Sequence, residues 1–375
     1  MFKDYITVID LQGPQRTKMS LRYLHGGHLQ MSVSGAFSGI LMKIRSQLAV
    51  QSTHNKLVIM FYRALRISAI YLLNIFLVLQ RGKWKILWIP EKLEFELITN
   101  PLVSIILPTY NHGTFLKSAI ESIRAQDYLN LELIIINDGS TDDSDQILRN
   151  LSSDSRIIII NQENQGLPNS LNNGFKVANG DFLTWTSADN VLAPDCISKL
   201  VTAANENSNI GLVYSDFQAI DEIGNQISGD NPWRIYDRDK NTKSVIRLKQ
   251  PHMMYKSIPI NYVGPYFLYR AQLAQILTRY ANVPGLEDWE FWLRMQLITN
   301  FKHFATDGLR YQYRVHANSM SSHLGVANNL VMTIKVAAKI VKRIVDSKTI
   351  DEALNPEIAE EVYSKLYPKL HRPTS

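Results

Sequence analysis

The chain has 375 residues, 45% of them hydrophobic and 10% aromatic, with 40 Lys and Arg against 34 Asp and Glu. That is enough apolar material for two or three domains with sizeable cores, and it excludes a disordered or fibrous protein. The single cysteine, Cys196, excludes an intrachain disulfide and a cysteine-rich zinc module; it fits a reducing compartment and reads as a small core residue.

The first residues, MFKDYITVID, lack the basic-then-apolar order of a signal peptide, so a cytoplasmic location is expected. Charge is uneven. Met1 to Phe95 holds thirteen Lys and Arg against four Asp and Glu, a net +9, whereas the whole chain is +6 and the remainder therefore −3. Residues 1 to about 50 carry no functional signal. From Lys56 to Pro90 the sequence turns apolar, with Ile67 to Leu79 broken only by Ser68 and Asn74, followed by Arg81, Lys83, Trp84, Lys85 and Trp88. The run is shorter than the ~20 residues of a spanning helix. Two readings stand: a helix lying peripherally in the interface of an anionic membrane, on its cytoplasmic face, or a helix buried against the rest of the protein. No basic-aromatic array accompanies the charge, so nucleic acid is not an expected partner. Residues 1–100 are thus read as a basic N-terminal region with an apolar helix at 56–90, and Glu91 to Pro101 as the link onward.

Val103 to Leu107 is a short apolar run closed by Pro108, and Leu133 to Ile136 is another before Asn137. Both predict buried parallel strands. Between them Phe115, Leu116, Ala119, Ile120 and Ile123 recur at helical spacing, so the connecting helix can cover the sheet and the unit is a right-handed βαβ crossover. In open sheets of this kind ligands sit at the carboxyl ends of the strands, here the loops Pro108-Thr-Tyr-Asn111 and Asn137-Asp-Gly-Ser140. A planar base can stack near Tyr110 while Asp138 accepts from its ring N–H. Asp138 is read as a site residue rather than a turn former ahead of Gly139, and Asp142 and Asp143 as helix caps. No G-x-G-x-x-G follows the first strand and no G-x-x-x-x-G-K-[ST] occurs, which takes most support from dinucleotide-dehydrogenase and P-loop readings.

"VSIILPTYN" followed by "LIIINDGSTDDS" resembles the large inverting glycosyltransferase family usually called family 2, which has a GT-A fold. The resemblance implies an α/β protein with a Rossmann-like mixed sheet flanked by helices, here with helical N- and C-terminal extensions. It also implies a nucleoside-diphosphate-sugar donor, a UDP-sugar first, held by Pro108, Thr109, Tyr110, Asn111 and Asp138. Ile157 to Ile160 predicts a third strand. The loop behind it, ending at Gly166, also faces the donor in the family; there "ENQGLPNSLNNG" stands where a "GLSAARNRG"-like sequence is common, with Leu171 in place of the usual arginine, which often helps order the donor site. A strand from Asp181 to Trp185 then leads to Thr186-Ser-Ala-Asp-Asn190, the position of the family's D-x-D motif, which here reads S-A-D. A divalent cation, Mn²⁺ or Mg²⁺, offsets charge on a diphosphate leaving group and prefers carboxylate oxygen. The resemblance makes Asp189 its ligand, while Ser187 keeps the donor-side hydrogen bond without the charge.

Gly211 to Tyr214 predicts a strand ending at Asp216, and Asp221-Glu-Ile-Gly-Asn225 a hairpin turn. Asp230 to Pro259 is polar and irregular and suits a mobile loop over an acceptor. Asn261-Tyr-Val-Gly-Pro265 is similar to the segment that borders sugar and acceptor in relatives, which implies Gly264. In Gly285-Leu-Glu-Asp-Trp-Glu-Phe-Trp-Leu-Arg294, Trp289, Trp292, Leu293 and Gln296 share a helical face, placing Glu287 and Asp288 at the helix's amino end. The macrodipole favours carboxylates there, and from spacing alone that preference accounts for both. The resemblance implies more: Asp288 matches the catalytic base, with Glu287 beside it near sugar or acceptor. Leu309 to Tyr313 predicts a strand, and the sequence from Tyr313 to Ser321 resembles the family's "YR-x-H-x-x-S" ending, in which His316 reaches the metal or diphosphate. The Q-x-x-R-W of processive synthases is absent, so transfer of one or a few sugars is expected. Helices are predicted over Val326 to Val345 and Pro356 to Leu370, with Lys335, Lys339, Lys342 and Arg343 on the first; they pack on the catalytic domain or make a second basic membrane contact.

The resulting plan is a GT-A glycosyltransferase domain at 101–323 and a helical extension at 324–375. The implied activity is inverting transfer of a sugar to a hydroxyl of a glycan, glycolipid or protein, in cell-surface polysaccharide or glycolipid synthesis. The alternative is a catalytically weak nucleotide-sugar-binding or membrane-surface scaffold protein on the same fold.

Overall fold

The computed structural model describes residues 92–151, 154–227, 244–248, 261–317 and 336–366, together with helix backbone at 326–335 and strand backbone at 6–8, 18–24, 28–34 and 237–238. The chain divides into one unit of residues 1–91 with 348–350 and a second of 92–347 with 351–375. In the first, strands β1 (Ile6–Val8), β2 (Lys18–Leu24) and β3 (His28–Ser34) form an antiparallel sheet in that order. The N-terminal extension, expected to be helical, thus holds an antiparallel sheet within its first 34 residues, a stretch with no clear helical periodicity. The apolar helix expected at 56–90 lies outside the described residues.

The second unit is built on a seven-stranded mixed sheet. Strands β4 (Val103–Thr109), β5 (Leu131–Asp138), β6 (Ile157–Gln162) and β7 (Phe182–Trp185) run parallel in the spatial order β7-β4-β5-β6. Every residue of β4, and every residue of β5 except Glu132, is buried. Strands covered by helices on both faces need continuous apolar runs, which is why these two were legible as strands. Beyond β7 the sheet turns antiparallel through β13 (Phe267–Arg270), then adds β9 (Ile210–Ser215) and β14 (Asn300–Phe304). A second sheet takes the order β11 (Asp237–Arg238), β12 (Val245–Arg247), β10 (Phe217–Ile220), β15 (Tyr311–Arg314), β8 (Val191–Leu192), with β10 and β15 parallel. The expected α/β class with a mixed sheet flanked by helices is the one observed.

Helix α1 (Gly113–Arg124) joins β4 to β5 and buries Leu116, Ala119, Ile120 and Ile123. Phe115, expected on the same face, turns away from it and packs instead against His316, with 4.9 Å between ring centres. Short α2 (Ser144–Arg149), α3 (Leu167–Val177), α4 (Cys196–Ala204) and α5 (Ala271–Leu277) complete the cover. Cys196 is buried in α4, as expected of a core residue.

Helix α6 (Glu287–Ile298) departs from its expected form. One apolar face is predicted, yet every residue but Asp288 is buried. Its polar residues tolerate this because they pair internally: Arg294 Nε and Nη2 donate to Glu290 at 2.6 and 2.9 Å. The same guanidinium donates to the carbonyls of Leu277 (2.9 Å), Leu354 (3.1 Å) and Arg279 (2.8 Å), which uses all five of its donors. Removing one partner of a buried ion pair leaves the other charge stranded. Arg294→Met is therefore expected to cost about 3–5 kcal/mol, read as a lower midpoint in urea unfolding.

The expected link from Glu91 to Pro101 is tied to the second unit from Lys92 onward. Leu93 N–H donates to Ile298 and Phe95 N–H to Ser208, both at 2.8 Å. Arg270, buried, donates to the carbonyls of Glu96, Ile210 and Ala204 and lies 5.0 Å from the ring centres of both Phe95 and Phe182. In the C-terminal region α7 (Val326–Val345) and α9 (Glu357–Leu366) match the two expected helices, and a short α8 (Ile350–Leu354), not foreseen, lies between them. Val336, Ala337, Ile340 and Ile344 of α7 are buried, as are Ile358, Ala359, Val362 and Tyr363 of α9, and the two helices pack together. Among the described residues no helix is long and apolar enough to cross a membrane.

Candidate active site

The carboxyl ends of β4, β5 and β7 lie side by side, and the loops leaving them are clasped together. Asn111 takes a left-handed backbone (φ 55), which Asn tolerates better than most residues. Its N–H donates to Ser140 Oγ at 3.1 Å, and its Oδ1 accepts the Thr141 N–H at 2.8 Å. Asp142 accepts from the Gly113 N–H at 2.8 Å and the Ser144 N–H at 3.0 Å, so this expected cap serves the first turn of α1 as well as its own turn. Asn111, expected at the donor, thus holds the two loops to each other. Pro108 and Thr109 are buried beneath them, and Tyr110 is 45% exposed, leaving its ring open to a planar ligand.

Asp138, at the end of β5, is buried with both oxygens engaged. Oδ1 accepts from Gln162 Nε2 (2.7 Å) and the Gln165 N–H (2.8 Å), and Oδ2 from the Gly166 N–H (2.9 Å). It therefore orders the 162–166 loop, in which Gly166 has φ +80. Leu171, standing where the family carries an arginine, is fully buried core. The ordering of this loop comes from a carboxylate below it instead.

Ser187 and Asp189 follow β7. Asp189 is only 6% exposed; its Oδ2 lies 3.0 Å from His316 Nε2, and its buried Oδ1 has no hydrogen-bond partner. Burial opposes its charged form, but the hydrogen bond with His316 and the nearby Ser187 hydroxyl outweigh that and hold the carboxyl below the ordinary range. Pairing of β8 with β15 brings residues 127 positions apart into this contact. Side chains of β15 pin the 186–190 loop: Tyr311 Oη bonds Thr186 Oγ1 (2.8 Å) and accepts from Asn190 Nδ2 (2.9 Å), and Arg314 Nε donates to the Asp189 carbonyl (2.8 Å). Arg314 also lies over the Phe115 ring at 4.9 Å, so Phe115 backs both Arg314 and His316.

A third residue joins them that sequence reading missed. His112, at the start of α1, has a buried Nδ1 with no hydrogen-bond partner, and its ring meets His316 edge-on at 6.3 Å. One donor atom from each of His112, Asp189 and His316 lies within 4.8 Å of the other two. The signal that could have found it was position: His112 directly follows Asn111, in a loop already assigned to the ligand edge. Burial lowers the His112 pKa, partly offset by the Asp189 charge, so its imidazole is neutral near pH 7.

Glu287 and Asp288 form a second group at the amino end of α6. Asp288 accepts from the Trp289 N–H and from Asn261 Nδ2, both at 2.6 Å, while Glu287 accepts from the Gly285 N–H. Burial raises the pKa of both, and the charge of Asp288 raises Glu287 further. Gly264 has φ +66, and a Cβ there would come 2.9 Å from Leu248 Cδ1 and 3.3 Å from Phe217 Cε1. Its evident demand is steric. Gly264→Ala is expected to lose about 1–3 kcal/mol of stability, visible as a lower melting temperature. Of the loop expected from Asp230 to Pro259, the parts described, 237–238 and 244–248, fall largely in strands β11 and β12, and the rest lies outside the described residues.

Fold and site together define an α/β protein that gathers a carboxylate and two imidazoles at the carboxyl edge of an open sheet. The family model for glycosyl transferase family 2 matches residues 104–275. An uncharacterized glycosyltransferase of Haemophilus influenzae is 32% identical over 234 residues, 59% of this chain and 68% of that protein. One from Rickettsia felis is 28% identical over 61% of this chain and 36% of its own length, and chondroitin synthase of Escherichia coli is 32% identical over 42% of this chain and 23% of its own length. The chain belongs to glycosyl transferase family 2. It spans about a third of the length of the Rickettsia felis relative, and the family match ends before Glu287, Asp288 and His316.

Proposed function

We propose that this chain transfers a sugar, with inversion, from a nucleoside-diphosphate-sugar to an acceptor hydroxyl. The observation that carries the reading is the Asp189–His316 pair at the strand ends, with Asp189 Oδ1 buried and unpartnered. A buried carboxylate oxygen with no donor is costly unless a ligand satisfies it, so the residues fit a divalent cation. Asp189 and His316 would hold Mn²⁺ or Mg²⁺, which when bound offsets the charge of the departing diphosphate. The donor's base stacks on Tyr110, with Thr109, Asn111, Ser187 and the Asp138-ordered loop to Gly166 around the nucleotide. A UDP-sugar is the first candidate. Asp288 takes the proton from the acceptor hydroxyl as its oxygen attacks the anomeric carbon opposite the diphosphate; the C–O bond to the diphosphate breaks and configuration inverts. Glu287 and Gly264 border the sugar or acceptor.

The acceptor is a glycan, glycolipid or protein hydroxyl, and the chondroitin synthase relative supports a role in polysaccharide synthesis. Peripheral contact with the cytoplasmic membrane face through residues 56–90 belongs to the same proposal. The test is calorimetric binding of UDP-, GDP- and dTDP-sugars with and without Mn²⁺ or Mg²⁺. Metal-dependent binding of one donor, followed by its turnover, supports the reading; no donor binding under any condition sinks it.

A further inference from the structure

The imidazole of His112 takes no part in a cation site made of Asp189 and His316 alone. It stands within 4.8 Å of the donor atoms of Asp189 and His316, although neither family motif contains it. We infer that His112 is a third metal ligand, making the site a two-histidine, one-carboxylate centre that takes a borderline first-row transition ion in preference to Mg²⁺. This rests on the proposal that Asp189 and His316 hold the cation.

Three features carry it. First, the site holds two buried atoms able to donate a lone pair and lacking a hydrogen-bond partner, Asp189 Oδ1 and His112 Nδ1, which come from loops after different strands. Each such atom alone is a cost to the fold, and one ion answers both. Second, the spread suits one coordination shell: ligands about 2.1 Å from a shared ion lie about 3–4.2 Å apart, so small side-chain rotations close the 4.8 Å group. Third, His112 is held in place. The left-handed Asn111 before it and the Gly113 N–H bond to Asp142 after it fix its backbone, and its ring lies edge-on to that of His316.

The donor set decides the ion. Ser187 replaces the first acid of the family's D-x-D, so the three contribute one negative charge and two nitrogens. Mg²⁺ prefers oxygen and gives up water reluctantly, whereas imidazole suits Mn²⁺ less than Co²⁺ or Zn²⁺ but all three better than Mg²⁺. The His316–Asp189 hydrogen bond already aligns two ligands, and a cation takes the place of the shared proton.

The experiment titrates the chelator-treated full chain, with no nucleotide, using Mn²⁺, Co²⁺ and Mg²⁺ alone. Calorimetry gives affinities, and electron spin-echo modulation of bound Mn²⁺ counts coordinated imidazole nitrogens. Expected are Mn²⁺ and Co²⁺ binding at least about 10-fold tighter than Mg²⁺, two imidazoles in the wild type and one in His112→Ala, with affinity for Co²⁺ lower by at least about 10-fold in the variant. Equal affinity for Mg²⁺ and Co²⁺ in the wild type overturns the inference without any variant. So does a His112→Ala or His112→Gln protein with an unchanged melting curve that binds Co²⁺ as tightly as wild type. Donor binding separates this from the transferase reading. If nucleotide-sugars bind and Mg²⁺ serves as well as Co²⁺, only the His112 inference fails. If Co²⁺ binds through two imidazoles and no nucleotide-sugar binds, the metal centre stands and the transferase reading falls.

Discussion

Asp288→Asn is expected to lower kcat by about 10²–10⁴-fold while leaving donor affinity within a few-fold of wild type. An amide of the same shape cannot accept the acceptor's proton, yet it still fills the space at the start of α6. Asp288 is the one residue of that helix that is only partly buried, so of the two acids it is the one more open to an incoming hydroxyl. Burial raises its pKa, which brings it closer to the pH at which it must act and makes its charged form a stronger base than an exposed Asp. The rate of the wild type should rise with pH as Asp288 ionises, with its acid limb above the ~4 of an ordinary Asp, and the Asn variant should lack that limb. If Glu287→Gln instead removes turnover and Asp288→Asn does not, the two roles are exchanged.

The same shifts bear on stability, with a definite sign. A carboxyl whose folded pKa lies above its unfolded value stabilises the fold below the unfolded pKa, and that contribution is lost as pH rises through the folded one. Glu287 and Asp288 are both of this kind. Glu287→Gln should therefore raise the melting temperature by a few degrees at pH 8 and leave it near wild type at pH 4. The gain at neutral pH measures what the fold gives up to keep two acids at the head of a buried helix.

Asp189→Ala is the second large effect, with turnover expected to fall by about 10³-fold or more, the several kcal/mol a bound cation contributes to offsetting a developing charge. Unlike Asp288→Asn it should also remove the metal dependence of donor affinity, so the two variants separate binding from proton transfer. Ser187 lacks a carboxylate and cannot substitute. Asp189→Asn sharpens the test, since it keeps an oxygen near His316 Nε2 and removes only the charge. Donor affinity compared with and without Mn²⁺ reads the result: a metal response surviving in both variants would place the cation elsewhere.

Much of the scaffold was legible because its signals are local. The runs of β4 and β5 sit under helices on both faces, and continuous burial writes a continuous apolar stretch. Asp142 read correctly as a cap, whereas Asp143, which stands at the N-cap of α2, makes no side-chain capping hydrogen bond. Helix α6 was harder. Its spacing suggests one buried face, whereas Glu290 and Arg294 are inside as a satisfied pair, which only the positions of the Leu277, Arg279 and Leu354 carbonyls make tolerable. Phe115 looked like another residue covering the sheet until His316 and Arg314 arrived beside it.

What the sequence determined by itself is the strand order from β4 to β7, the helix α1 between the first two, and the edge at which ligands gather, because burial periodicity and turn chemistry act over a few residues. Its motifs also carried the likeness to family 2. Only the tertiary structure decided which side chains meet at that edge. The pairing of β8 with β15 carries His316 across 127 residues to Asp189, and the clasp of Asn111 and Asp142 sets His112 beside them. A lone histidine in a loop has no periodicity to betray it. Its meaning comes from long-range neighbours, and those are fixed by how sheets pack rather than by spacing along the chain.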